Sequence, residues 1–141
     1  MSGCVFCDIV ADRAEASVVY EDEVALAFMD LFPLSPGHTL VVPKVHVDDL
    51  VHCQQELAGH LFKVSALLGP AVVEATQGAG FNVWTANGKA AGQAVFHLHL
   101  HVLPRFVWDT FGLRFPEGCP TAAPRSELEA MAARIKELVR R

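Results

Sequence analysis

The stretch His97-Leu98-His99-Leu100-His101-Val102-Leu103 alternates imidazole and aliphatic side chains. On an extended chain successive side chains point to opposite faces, so this reads as a strand with three histidines on one face and Leu98, Leu100 and Val102 on the other. With seven histidines in 141 residues, such a triplet arises by chance about 0.02 times per sequence. The plain alternative is a half-buried strand whose polar face is satisfied by its neighbours. One ion does not suit all three rings, because Cα atoms four residues apart on a strand are separated by about 13 Å. The three therefore divide their work among anchoring the fold or a metal, attacking, and holding substrate.

Working outward, residues 17–21 and 24–30 are β-rich runs around the acidic turn Glu21-Asp22-Glu23 and predict a hairpin. Residues 38–42, closed by Pro43, predict a third strand. Residues 80–86 and 95–103 predict a second strand pair, the latter ended by Pro104. In between, Leu57, Leu61, Val64, Leu68 and Val72 recur at three- and four-residue steps and predict a helix over about 54–76, which Gly69-Pro70 should interrupt or kink. After an irregular stretch, 106–124, Ser126-Glu127-Leu128-Glu129 has capping-box spacing and predicts a terminal helix. Strands, helix, strands, helix imply an α+β fold with an antiparallel sheet, a central helix and a C-terminal helix, in one domain over 1–141.

Charge is uneven, with ten acids and two Lys/Arg in residues 1–60 against six acids and nine Lys/Arg in 61–141. A net charge of −5 without a basic stripe argues against nonspecific nucleic-acid binding. The uninterrupted apolar runs fall short of the ~18 residues of a membrane span, and the first twelve residues lack a basic leader, so a cytoplasmic protein with no membrane partner is expected. Four cysteines are too few and too scattered for a secreted disulfide framework.

Cys4 and Cys7 have the spacing of a zinc pair, with His46 and His97 as candidates for the remaining ligands; two inert buried thiols are the alternative. Cys53 and Cys119 have no companion at ligand spacing and read as structural. The glycine-bearing connection 87–94 leads directly into the histidine strand, where backbone N–H groups can cradle a phosphate. Asn87 and Gln93 would add amide donors and Arg105 or Lys44 positive charge, although each equally suits a solvated surface. Val5, Phe6, Ile9, Phe28 and Leu31 read as core, or as the wall for a flat ring beside the Asp30 carboxylate.

Together these residues resemble the histidine triad (HIT) nucleotide-binding proteins over roughly residues 1–105, most like bacterial members close to the Hint branch. The signature His-φ-His-φ-His-φ-φ falls on 97–103 and runs on into Pro104-Arg105. Upstream are Asn87-Gly88-x-x-Ala91-Gly92-Gln93, then Asp30 followed by Ser35-Pro36-Gly37-His38-Thr39-Leu40-Val41-Val42-Pro43-Lys44-x-His46, and the opening Cys4-Val5-Phe6-Cys7.

The resemblance implies a five-stranded antiparallel sheet, a homodimer, and a purine-nucleotide pocket that cleaves nucleoside 5′-phosphoramidates or dinucleoside polyphosphates at the α-phosphate. It implies His99 as nucleophile, with His101 beside the phosphate and His38 assisting the histidine network. Asn87, Gly92 and Gln93 would contact phosphate, Asp30 the ribose, and Val5, Phe6, Phe28 and Leu31 the base. Cys4, Cys7, His46 and His97 would hold a structural zinc ion. One departure is Ala94, where relatives often carry Ser or Thr, and it removes one hydroxyl from the expected phosphate or leaving-group contacts.

Overall fold

The computed structural model describes residues 3–112 and 114–139; Met1, Ser2, Leu113, Arg140 and Arg141, which belong to the expected domain and tail, lie outside the described residues. The chain divides into two compact units, Met1–Asp109 and Thr110–Arg141.

In the first unit the alternation seen in the sequence partitions one sheet into two faces. Strands β1 (Val18–Glu21), β2 (Ala25–Met29), β3 (Thr39–Pro43), β4 (Gly80–Trp84) and β5 (Leu100–Arg105) form an antiparallel sheet in the order β1-β2-β3-β5-β4. Ala25, Ala27, Val41, Leu100 and Val102 pack on one face against Leu61, Val64, Leu68 and Val72 of the long helix α2 (Gln55–Thr76). Leu26, Phe28, Leu40 and Val42 face the other way, onto Phe6 of the short helix α1 (Val5–Val10). The small alanines of β2 thus lie beneath the bulky helix, and the histidine face shares the α1 side of the sheet. This confirms the α+β expectation.

Several details differ from the sequence reading. Helix α1 carries no periodic signal, being six residues long, and starts with the Cys4 sulfur accepting from the Cys7 N–H at 3.4 Å. Helix α2 runs without interruption through Pro70: both Pro70 and Ala66, whose carbonyl loses its partner, are exposed, so water can take the place of the missing bond. Gly69 faces inward, where the Phe81 ring lies against the helix in the space a Cβ would need. Helix α2 is long and apolar enough to cross a membrane, with a mean hydropathy of 1.2, yet its Leu61–Val72 face packs on the sheet like a core helix.

Strand β5 is shifted relative to the predicted one, starting at Leu100 and running through Pro104 to Arg105. Pairing with β3 ends at Thr39↔Val102, two residues before Pro104, so its lack of an N–H costs no bond on that side. Pro43 is likewise the last residue of β3 rather than a stop beyond it. In the second unit, helix α3 (Arg125–Leu138) begins one residue before Ser126. The Pro124 carbonyl receives the Glu127 and Leu128 N–H groups, so Ser126 is already inside the helix and the capping box does not form.

Candidate active site

His97, the ordered approach to β5, and β5 itself deliver three rings into three different environments. His99 is buried, and its Nδ1 lies 2.8 Å from the His97 carbonyl. A carbonyl only accepts, so Nδ1 carries the proton and Nε2 keeps its lone pair. The Thr85 hydroxyl donates to the His99 carbonyl at 2.8 Å and fixes this backbone from β4's side.

His101 belongs to a relay. The Leu34 N–H donates to His38 Nδ1 at 3.1 Å, closer than the 3.5 Å separating that nitrogen from the Asp30 carboxylate. The His38 proton is therefore on Nε2, which donates to His101 Nδ1 at 2.9 Å and leaves the His101 proton on Nε2. Burial, followed by the neighbouring His99 and His38, pushes His101 down to about 4, so the ring is neutral at pH 7. His38 is shifted downward as well, chiefly by burial, against the opposing pull of Asp30.

These groups meet a cavity of about 770 Å³ between α1 and the β2–β3 connection. Val5, Phe6, Ile9, Phe28, Leu31 and Leu40 form apolar walls, and Asp30, His99 and His101 supply polar groups. Phe6 packs edge-on against both Phe28 and His99, at centroid distances of 5.5 and 5.2 Å. Every residue expected to contact base or ribose lines this one space. The shape suits a flat ring joined to a polar, phosphate-bearing part.

A second cluster holds the start of α1 to the same segment. Cys4 Sγ lies 3.4 Å from His97 Nδ1, and Cys7 Sγ lies 3.3 Å from His46 Nδ1 and 3.6 Å from His97 Nδ1. Tetrahedral zinc with ordinary Zn–S and Zn–N bonds requires S···N edges of about 3.6 Å. His97 Nε2 donates to the Pro43 carbonyl at 2.8 Å and His46 Nε2 to Asp48 at 3.0 Å, so both rings turn a bare Nδ1 toward the thiols. Such outer partners orient metal-binding imidazoles. The four donors, mutually within 4.8 Å, fit zinc.

Residues 11–107 match the HIT domain family. The chain belongs to the HIT domain family. Among solved structures it is similar to a HIT family protein from Bacillus anthracis, at TM-score 0.88 and 38% identity over 99% of each chain. It is also similar to a Zn-bound histidine triad family protein from Mycobacterium smegmatis, at TM-score 0.76 and 37% identity, covering 97% of this chain and 98% of that one. A curated relative, adenylylsulfatase HINT3 of Arabidopsis thaliana, is 38% identical over 102 residues, which make up 72% of this chain and 52% of the relative.

In this HIT protein the expected phosphate contacts are rearranged. Gln93 is buried with its amide fully used: Oε1 accepts from Gly88 N–H, and Nε2 donates to the Asp48 and Val95 carbonyls. Its two donors hold the loop, so the geometry corrects its reading as a free phosphate donor. The Gly92 N–H bonds to the Lys89 carbonyl, and the side-chain Oδ1 of Asn87 receives the Leu50 N–H, which leaves the Asn87 NH2 able to donate. Ala94 and Val95, immediately downstream, line the cavity instead. Lys44 is paired with Glu21 at 2.7 Å, and Arg105 with Asp109 and Asn82, so neither supplies the charge proposed for it. Sequence reasoning also missed Thr85 and gave Trp84 no structural role; Trp84 stacks on His101.

Proposed function

We propose that this protein is a nucleotidyl hydrolase that cleaves purine nucleoside 5′-phosphoramidates or dinucleoside polyphosphates at the α-phosphate. The observation that carries this reading is the His99 ring, whose Nδ1–H is tied to the His97 carbonyl while the ring lines the apolar cavity. This arrangement presents a nitrogen nucleophile that needs no separate base to activate it.

The His99 Nε2 lone pair forms a bond to the α-phosphorus, and the bond to the leaving group breaks with its electron pair. The His97 carbonyl supports the positive charge that the ring acquires. The neutral His101 donates its Nε2–H to the developing negative charge, as a hydrogen bond rather than as a transferred proton. A polyphosphate departs as its anion, whereas the nitrogen of a phosphoramidate takes a proton from solvent as the P–N bond breaks and departs as the neutral amine. Water then attacks phosphorus, the N–P pair returns to His99, the water oxygen stays as the new P–OH and its other proton passes to solvent. Asp30 accepts from ribose hydroxyls, and Val5, Phe6, Phe28 and Leu31 enclose the base. Asn87 and the backbone from Gly92 onward flank the phosphate, with Gln93 bracing that loop.

Zinc held by Cys4, Cys7, His46 and His97 would supply a structural cross-link. The Zn-bound mycobacterial neighbour and the donor geometry support it. A homodimer, and a cytoplasmic location with reduced thiols, belong to the same proposal; light scattering showing a monomer would overturn the former. The name of the Arabidopsis relative, an adenylylsulfatase, supports hydrolase chemistry for this chain.

One observation favours a second reading, a nucleotide-binding regulatory protein with little turnover: Ala94 lines the cavity and offers no hydroxyl. The deciding assay measures AMP release from adenosine 5′-phosphoramidate and from a diadenosine polyphosphate, in the wild type and in His99→Ala. Turnover lost in the variant supports the hydrolase. No turnover, with nucleotide binding intact by Trp84 fluorescence, supports the binding protein.

A further inference from the structure

Trp84 ends β4 directly opposite His101 on β5, and its indole lies face to face with that imidazole. The ring centroids are 4.4 Å apart and the planes only 7° from parallel. The same indole reaches His38, at 6.0 Å and 34°. The outer torsion of an imidazole is broad and lacks sharply staggered wells. Among the described residues a single hydrogen bond, from His38 to Nδ1, pins one edge of the His101 ring, and one bond at one edge does not by itself fix the ring plane. A flat surface against its face removes that freedom. Leu or Val at this strand position would fill volume without presenting such a face, and aromatic rings that merely fill a core pack edge-on as readily as parallel. The other groups facing His101 are His38 from the residue before β3, His99 from the approach to β5, and Asp30 from the turn after β2; none of them lies flat on the ring as Trp84 does.

We propose that Trp84 is a positioning residue for His101, its stacked indole holding the imidazole in the plane where Nδ1 accepts from His38 and Nε2–H is presented to the cavity. The importance of this placement for turnover rests on the hydrolase reading above; the placement itself does not.

The test compares Trp84→Leu and Trp84→Phe, each alone and combined with His101→Ala. With adenosine 5′-phosphoramidate, W84L lowers kcat by about tenfold or more with KM changed less than about threefold, and W84F restores most of the loss. In the His101→Ala background, W84L has less than about a twofold effect, because its partner is already gone. Equal losses in both backgrounds would overturn the proposal, since Trp84 would then act independently of His101. Nitrogen NMR of the imidazoles gives a readout independent of activity. The wild type shows one protonated and one bare nitrogen on His101, and W84L draws the two signals toward a common value as ring and tautomer exchange. Unchanged His101 signals in W84L would also overturn it. If the wild type cleaves neither substrate, the hydrolase reading falls, and these nitrogen signals alone decide the positioning role.

Discussion

His38 Nε2 sits 2.9 Å from His101 Nδ1, and that contact sets which nitrogen of His101 keeps its proton. The order originates at the Leu34 N–H, a group that can only donate, and passes inward through two rings to the cavity. Replacing His38 by Ala leaves His101 Nδ1 buried without its donor. Losing such a partner costs about 1–3 kcal/mol, which corresponds to a loss in kcat of roughly fivefold to a little over a hundredfold when felt in the transition state. Steady-state kinetics on His38→Ala, with circular dichroism confirming the fold, check this; an unchanged kcat would remove His38 from the mechanism.

The acid side of the stability profile carries the mark of His101. Its folded pKa of about 4 lies below the ~6.5 of an unfolded histidine. Between these values the unfolded chain binds the extra proton, so stability falls as pH drops from about 6.5 to about 4 and then levels off, by up to about 3 kcal/mol from this group. His38, also shifted downward chiefly by burial, adds to the same trend. Denaturant unfolding between pH 7.5 and 4 should show the fall, and His101→Gln should make it shallower.

Gln93 should behave as a structural residue. Gln93→Leu strips partners from the Gly88 N–H and from the Asp48 and Val95 carbonyls. A loss of about 2 kcal/mol or more in chemical unfolding is expected. A variant with wild-type stability and only a raised KM would restore Gln93 to direct phosphate contact.

Metal analysis of protein purified without chelator should give about one zinc ion per chain. Cys7→Ser should lose the ion and melt at a lower temperature, because the start of α1 is then no longer tied to His46 and His97. Metal content far below one per chain in the wild type would remove zinc from the account.

Much of this was legible in the sequence because strands impose a two-residue period. The alternation from His97 to Val102 separates the α1 side of the sheet from the α2 side, and the Cys4-x-x-Cys7 spacing marks two of the four ligands. Helix α1 was hidden because six residues hold too few turns for a pattern, and its Cys7 N–H meets a cysteine sulfur rather than a common capping oxygen. Gln93 misled because an amide can bind a ligand or its own backbone, and residue type does not distinguish the two. Trp84 was silent because its role arises from cross-strand register, Trp84↔His101, which only the folded sheet defines.

The central claim is that His99 Nε2 attacks phosphorus. Mixing the protein with adenosine 5′-phosphoramidate, quenching within milliseconds under conditions that preserve phosphoramidate bonds, and measuring intact mass tests it most directly. The account predicts a transient gain of one adenylyl group, mapped by fragmentation to His99 and absent in His99→Ala. Steady AMP release with no adduct, or an adduct on His38 or His101, would contradict it.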